Sequence, residues 1–314
     1  MDIAAARTER RAGAGAVVVL LAFLLLAPPV FLLGPLAALL AASRPGTWRE
    51  RAWLAATIVL TTLWLVAPGN LAQQVIRAGA MGLAGGTLAV ALSGRRTPPF
   101  RQAVTAAVAA TLGTLTWGAV LGTSFAAFRD AVAADLRVGY QAMGGGGNGA
   151  AASPEVQRFV ANLVESADAV AGLYPGALLV LAVAGSMLAW LWLHRIAVTP
   201  VGPAPVRFRD FRFNDHVVWG AIFTLAAWLA PVPGGVRLVA ANLLVAWVGL
   251  YLARGLAVSV TFLAGAPLPM RVVAVAFAVP FFPFASGALL AMGLADTWID
   301  FRRRSPPDTG GGEG

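Results

Sequence analysis

Few residues in this chain have the type and spacing that chemistry needs. No cysteine occurs among its 314 residues, which excludes disulfides, thiolate metal sites and cysteine nucleophiles. The two histidines, His194 and His216, fall at the ends of apolar segments, and no paired carboxylates accompany them. A metal centre needs about three or four such ligands. No metal or cofactor is therefore expected, and the histidines read as interface residues. The chain has no Walker A loop, no dinucleotide-type glycine loop and no His-Glu-x-x-His helix. No catalytic residue is expected, the protein is not read as an enzyme, and it has no means of its own to draw on ATP.

The charged residues say more. Of the acids, only Asp296 enters an apolar segment, and it does so near the segment's end. Ion-coupled carriers keep an ionisable group at depth because an intramembrane carboxylate is costly unless it works. Its absence argues against that class. The costly residue that does occur is Arg254, ten residues from the end of the apolar stretch 236–264. At about 1.5 Å per residue this is roughly 15 Å in, near the middle of a bilayer, where an arginine costs at least ~2.5 kcal/mol. It must face the protein interior. Backbone carbonyls at Pro280 or Pro283 are candidate partners, and Gly255 beside it would admit a second helix. Its role is open between structural glue, an anion or lipid-headgroup site, and snorkelling. Asn242 on the same segment joins it as a candidate ligand-binding residue, while Arg77 is expected to snorkel to the outer surface.

Membrane spans must position these residues. Hydrophobic residues make up 59% and charged residues 12%, against about 25% charged in soluble domains. Apolar segments cover 16–43, 50–67, 71–93, 102–127, 173–198, 216–232, 236–264 and 271–299. A crossing takes about 20 residues, so the first and last are too long for one straight helix. Both are interrupted by proline, at Pro28, Pro29 and Pro35 and at Pro280 and Pro283. The expected fold is all-α, a polytopic transmembrane bundle of about eight apolar segments with a small extracytoplasmic helical insert. Residues 1–127 carry segments one to four, 128–172 the insert, 173–301 segments five to eight, and 302–314 a disordered tail. Arg7, Arg10 and Arg11 ahead of Ala16–Ala27 mimic a secretory signal, but the apolar run continues to Ser43 and reads as an uncleaved first segment.

All 23 basic residues are arginines, giving a net charge of +9. They sit at segment ends and cluster on no soluble module, so the lipid bilayer, not nucleic acid, is the expected partner. Placing 44–51, 95–101, 195–212 and Arg271 in the cytoplasm leaves 67–72 and 128–172 outside, where five acids outnumber Arg129, Arg137 and Arg158. If the first and last segments cross once, Arg7, Arg10, Arg11 and Arg302, Arg303, Arg304 are stranded outside. If each is a hairpin or re-entrant element, every large arginine cluster is cytoplasmic, and charge favours this arrangement with both termini inside.

In the insert, Phe125, Phe128, Val132 and Leu136 keep helical spacing, Gly144–Gly149 form a flexible break, and Ser153 and Pro154 start a second helix with a stripe at Val156, Phe159, Val160, Leu163, Val164 and Ala167. This pair reads as a cap on the bundle or as a docking surface. On the inner side Arg207, Phe208, Arg209, Phe211 and Arg212 alternate guanidinium groups with rings and read as a lipid-headgroup anchor. Gly82-x-x-x-Gly86 and Gly118-x-x-x-Gly122 permit close helix packing. Trp48, Trp53, Trp64, Trp190, Trp192 and Trp298 fit aromatic belts.

The stretch Gly293-Leu294-Ala295-Asp296-Thr297-Trp298-Ile299-Asp300-Phe301-Arg302 resembles the ending of YybS-like bacterial membrane proteins. Phe211…Val218-Trp219, Leu250–Leu256 around Arg254, and the insert between segments four and five look similar to that family too. The resemblance implies a bacterial cytoplasmic membrane protein of an uncharacterised family, distantly similar to substrate-binding components of energy-coupling-factor transporters and to MreD. Within the motif, Asp296 and Asp300 are four apart on one helix face, and either could pair with an inner arginine such as Arg302. The leading expectation is a membrane-embedded solute- or lipid-binding or transport component that needs a partner for energy. Its cavity would be reached from outside and lined by Arg254 or Asn242. The alternative is a scaffold that docks other membrane proteins through the outer cap and the inner arginine face.

Overall fold

A computed structural model describes residues 20, 23, 24, 27–94, 96–144, 153–278 and 280–301. Among these the chain forms eleven α-helices and no strand. The helices are α1 (Val30–Ala42), α2 (Trp48–Val66), α3 (Leu71–Ser93), α4 (Pro99–Val120), α5 (Phe125–Gly144), α6 (Pro154–Gly172), α7 (Tyr174–Ile196), α8 (Val218–Leu229), α9 (Gly234–Ala264), α10 (Leu268–Ala278) and α11 (Phe282–Ile299). Five of them, α3, α4, α7, α9 and α11, are long and apolar enough to cross a membrane. α2 has 19 residues, but Arg49, Glu50 and Arg51 occupy its first turn. The helices α1 and α8 are shorter than a crossing. Two compact units emerge, one of residues 1–174 and 181–205, the other of 175–180 and 206 onward.

The first unit is organised around α1. Val30, Phe31, Leu32, Leu36, Leu39 and Leu40 are all buried. A polar-free helix of this kind has no face for water and must be surrounded. Leu36, Leu39 and Leu40 pack with Ala91 of α3 and with Ala189, Trp190 and Leu193 of α7. Trp190 is thus a core residue, not part of an aromatic belt, because its ring turns inward onto α1, whereas Trp48 and Trp298 are exposed. The proline break of segment one falls at Pro28 and Pro29, while Pro35 is carried inside α1. Gly82 and Gly86 bring α3 against Ala106 and Ala110 of α4, as their spacing suggests. Gly118 and Gly122 make no such contact. Gly122 adopts φ 70° and ends the run after α4, so the insert's first helix starts afresh at Phe125.

The insert is the helical pair the spacing indicates. Ser153 caps α6 by accepting from the Val156 N–H at 3.4 Å, and Pro154 opens the helix. Phe128, Val132 and Ala133 of α5 and Ala167 and Ala171 of α6 are buried. Arg137 and Asp168 pair across the two helices. Asn70, the N-cap of α3, donates to Asp135 at 2.6 Å and so ties α5 to the base of the bundle. The glycine-rich break beyond Gly144 lies outside the described residues, as do Arg7, Arg10, Arg11, Arg302 and the tail after it.

In the second unit α9 spans 31 residues, about 46 Å at 1.5 Å per residue against a hydrocarbon core of about 30 Å. Segment eight is divided at Pro280 into α10 and α11, and Pro283 sits harmlessly in the first turn of α11. Gly255 and Gly293 face one another where α9 crosses α11, and Phe262 meets Phe301 at 6.4 Å further along both chains. The two helices therefore leave their crossing in the same sense and end at the same end of the unit. The chain between them doubles back through α10. Arg271 closes the turn by donating to the Ala266 carbonyl at 2.8 Å, and to that of Ala264.

Candidate functional site at a buried arginine

The α9–α11 crossing exists because two positions lack side chains. A methyl group at Gly255 would strike the Leu289 carbonyl, and one at Gly293 would strike that of Tyr251. With the backbones in contact, the neighbours of both glycines meet. Arg254 is 2% exposed and Asp296 is 1% exposed. Arg254 Nε donates to Asp296 Oδ2 at 2.9 Å, and Nη2 donates to the Asp296 main-chain carbonyl at 3.0 Å. Its third nitrogen, Nη1, donates to Asp215 Oδ1 at 2.8 Å. Unlike Asp296, the Asp215 side chain is 62% exposed. Arg254 thus faces the protein interior, as its cost in lipid demands. Its partners are carboxylates, not the carbonyls at Pro280 or Pro283. The proline break is at the far end of α11 from Asp296, out of reach.

The depth assignment also changes. Asp296 stands three residues before the end of α11, and Asp215 just ahead of α8. Arg254 is level with these helix ends, not midway along a crossing. Counting ten residues from the end of α9 misleads because α9 is longer than a bilayer core.

Residues 207–217 form a strap over this end of the unit. Phe208–Asp210 and Asp215–Val217 are short 3-10 turns. Phe208 stacks on Phe211 at 6.4 Å, Phe211 meets Phe213 edge-on at 6.1 Å, and Phe213 meets Tyr251 at 5.3 Å. The Arg254 guanidinium lies over the Phe213 ring, 5.2 Å from its centroid, a cation–π contact. Arg212 pairs with Asp300, whose φ of 45° ends α11 in the left-handed conformation that Asp tolerates. The Thr261 hydroxyl reaches the Arg209 carbonyl at 3.3 Å. Of the five candidate headgroup residues, Phe211 is buried, Arg212 is engaged by Asp300, and Phe208 is exposed. Arg209 lies beside Asp210, and Arg207 stands just ahead of the first 3-10 turn without a side-chain capping bond to it.

Asn242 is placed elsewhere. Its Oδ1 accepts from the Gly176 N–H at 2.7 Å, capping the start of α7, and its Nδ2 donates to the Leu238 carbonyl at 3.0 Å. The structure does not bring it to Arg254. Within the family-like ending, Gly293 and Asp296 belong to the crossing and Asp300 to the strap contact, while Trp298 is exposed and Arg302 lies outside the described residues. Asp300 takes Arg212 as its inner arginine. Arg77 reaches back to the Pro68 carbonyl at 3.4 Å and over the Trp64 ring at 5.5 Å, toward the start of α3.

The first unit holds a second polar knot. Thr47 and Glu50 form a capping box at α2. Glu50 Oε2 accepts from the Gly46 and Thr47 N–H groups and the Thr47 hydroxyl, and Oε1 accepts from the Val198 N–H at 2.7 Å. Glu50 precedes the apolar run of α2, and these donors lower its carboxyl from 4.5 to about 2, the Thr47 and Val198 N–H groups most of all. It ties the 44–51 loop to the loop after α7. Among the described residues no three His, Asp or Glu side chains gather as metal ligands.

Helices of crossing length with few charges in them, and a buried arginine–carboxylate pair where two of them meet, define a multi-pass α-helical membrane protein. More particularly, residues 15–297 match the family described as "Predicted membrane protein (DUF2232)", and the chain belongs to that family. No curated protein and no solved structure matches it.

Proposed function

We propose that this protein is a membrane-embedded binding or transport component for a small solute or lipid, with no energy source of its own and no catalytic role, working with a protein partner. One observation supports the reading above others. Arg254 is held on one side by a buried carboxylate and on the other only by the exposed Asp215. A purely structural arginine is neutralised by Asp296 alone, and the exposed arm leaves one guanidinium edge open to exchange. By this reading a ligand reaches that edge from beside the strap, where Asp215 is exposed. On this reading the arginine-rich loops and both termini face the cytoplasm of a bacterial inner membrane, the strap residues Arg207, Phe208 and Arg209 contact headgroups, and the chain's ending is YybS-like.

A scaffold is the second reading. Both polar groups of Asn242 are spent inside the protein, and Val156 and Phe159 of the outer pair are exposed. Native mass spectrometry of the full chain in lipid nanodiscs separates the two. A co-purified small molecule or lipid that Arg254→Lys strips away is the expected result. A stoichiometric protein partner, with no ligand and no effect of Arg254→Lys, would favour the scaffold.

A further inference from the structure

Building on the reading that Arg254 belongs to a binding site, we infer that Asp215 is a tethered stand-in for the ligand. The ligand it stands in for is an oxyanion, a phosphate or carboxylate group that enters beside the 207–217 strap. A guanidinium offers five N–H donors in a planar fork matched to such groups. The two halves of this fork are treated differently. Nε and Nη2 are fixed by a single residue, Asp296, through its carboxylate and its own carbonyl. That carboxylate is on a helix locked to α9 by Gly255 and Gly293, and it already balances the arginine's charge. Nη1 meets one oxygen of Asp215, on a short turn with the side chain largely in solvent. Asp215 thus adds a second negative charge that neutrality does not require, on the edge of the guanidinium that an exposed side chain covers.

The surroundings suit an incoming anion. Phe213 packs under the guanidinium face and fixes its plane. Displacing the carboxylate requires only the exposed Asp215 side chain to swing away, while Phe213 and Asp296 hold the guanidinium through other atoms. Arg209 and Arg212 on the strap are offset by Asp210 and Asp300, so the attraction for an anion comes from Arg254 itself. A phosphate presents several oxygens to Nη1 and Nη2, where Asp215 presents one. Only the Asp215 side of the pair is solvated, and a fully exposed pair would be worth about a fivefold preference, which is about 1 kcal/mol. Asp215 is therefore a weak competitor that a real ligand can replace.

The test uses the full chain in nanodiscs and the variant Asp215→Ala, with Asp215→Asn repeating it should the alanine variant lose its fold. Inorganic phosphate is titrated calorimetrically into protein in pure phosphatidylcholine discs, and phosphatidylglycerol retention is read by native mass spectrometry from mixed discs. Removing Asp215 is expected to strengthen one of these by about fivefold, and adding Arg254→Lys to cancel the gain. A gain with phosphate assigns a free oxyanion, and a gain only with phosphatidylglycerol assigns a headgroup. If neither probe binds the Asp215 variants better than the wild type, the inference is overturned. The broader reading survives that result if Arg254→Lys still strips a co-purified ligand from the wild type, and it falls with the inference if Arg254→Lys changes nothing.

Discussion

Removing Arg254 strands Asp296, and the size of the effect follows from how differently its two acids are placed. Asp296 is 1% exposed, so with the guanidinium gone it is a carboxylate without a countercharge in a site closed to water. Breaking a buried ion pair from one side costs about 3–5 kcal/mol. Asp215→Ala removes a partner that is 62% exposed, and a solvated pair is worth no more than ~1 kcal/mol. The double variant Arg254→Met/Asp296→Leu removes both buried charges and is expected to lie near the wild type or above it by up to about 4 kcal/mol. Titration of sodium dodecyl sulfate into mixed micelles, followed by the fluorescence of the ten tryptophans, reads all three on one scale. The reasoning is refuted if Arg254→Ala costs no more than Asp215→Ala, or if the double variant is as unstable as the single one. Either result would mean that the pair is not sealed from water.

The same titration checks the crossing: Gly255→Ala or Gly293→Ala forces the backbones apart and should cost about 1–3 kcal/mol. Gly113→Ala on α4, which meets open space, should instead gain up to about 1 kcal/mol. Asn242→Ala is expected to lose about 1 kcal/mol as a missing helix cap, and an unchanged stability with lost ligand binding would make Asn242 a ligand residue instead. Glu50 has its carboxyl lowered to about 2, so it contributes stability above its ordinary 4.5 that is lost as pH falls toward 2. Thermal melts from pH 6 downward should therefore show an acid-dependent drop that Glu50→Gln abolishes, and identical profiles would contradict the knot. Because the chain lacks cysteine, single cysteines at Thr199 and Thr309 can be labelled in membrane vesicles. Both should react with an impermeant maleimide from the same side.

Much of the fold could be read from the chain because lipid makes length and apolarity decisive. Leu71–Ser93 and Tyr174–Ile196 stand almost where their hydropathy puts them. Ser153-Pro154 and Gly82-x-x-x-Gly86 also act as their local chemistry dictates, since a cap and a close approach need only neighbouring residues. Trp190 was illegible because a ring near a helix end suits a headgroup belt or a core equally, and only the position of α1 decides. The Arg254 cluster was half legible. The cost of burying arginine announced that it needed partners, and Gly255 announced a crossing. The identity of the partners depended on which helix came to Gly255. The signal was present in Gly293-x-x-Asp296, whose three-residue spacing places the acid on the same face as a small residue. Asp215, held through a strap 39 residues away in sequence, left no local trace.

The doubling back of the chain through α10 bears on the conflict between charge and length at the C-terminus. A single crossing by segment eight would carry Arg302, Arg303 and Arg304 away from the other arginines, against the distribution that positive charge follows. The Gly255–Gly293 crossing and the Phe262–Phe301 contact run both helices to the same end of the unit. There the Arg212–Asp300 pair joins the strap to the close of α11. The return is made by α10, whose 11 residues reach about 16 Å, too little for a crossing. With Pro280 ending that ascent, α11 can descend beside α9 and bring Asp296 to Arg254. The proline break therefore sets the course of α11 that brings Asp296 to Arg254, although it lies far from the cluster itself. A chain that crossed once would bring the motif's aspartates to the opposite face and leave Arg254 with no buried counterion.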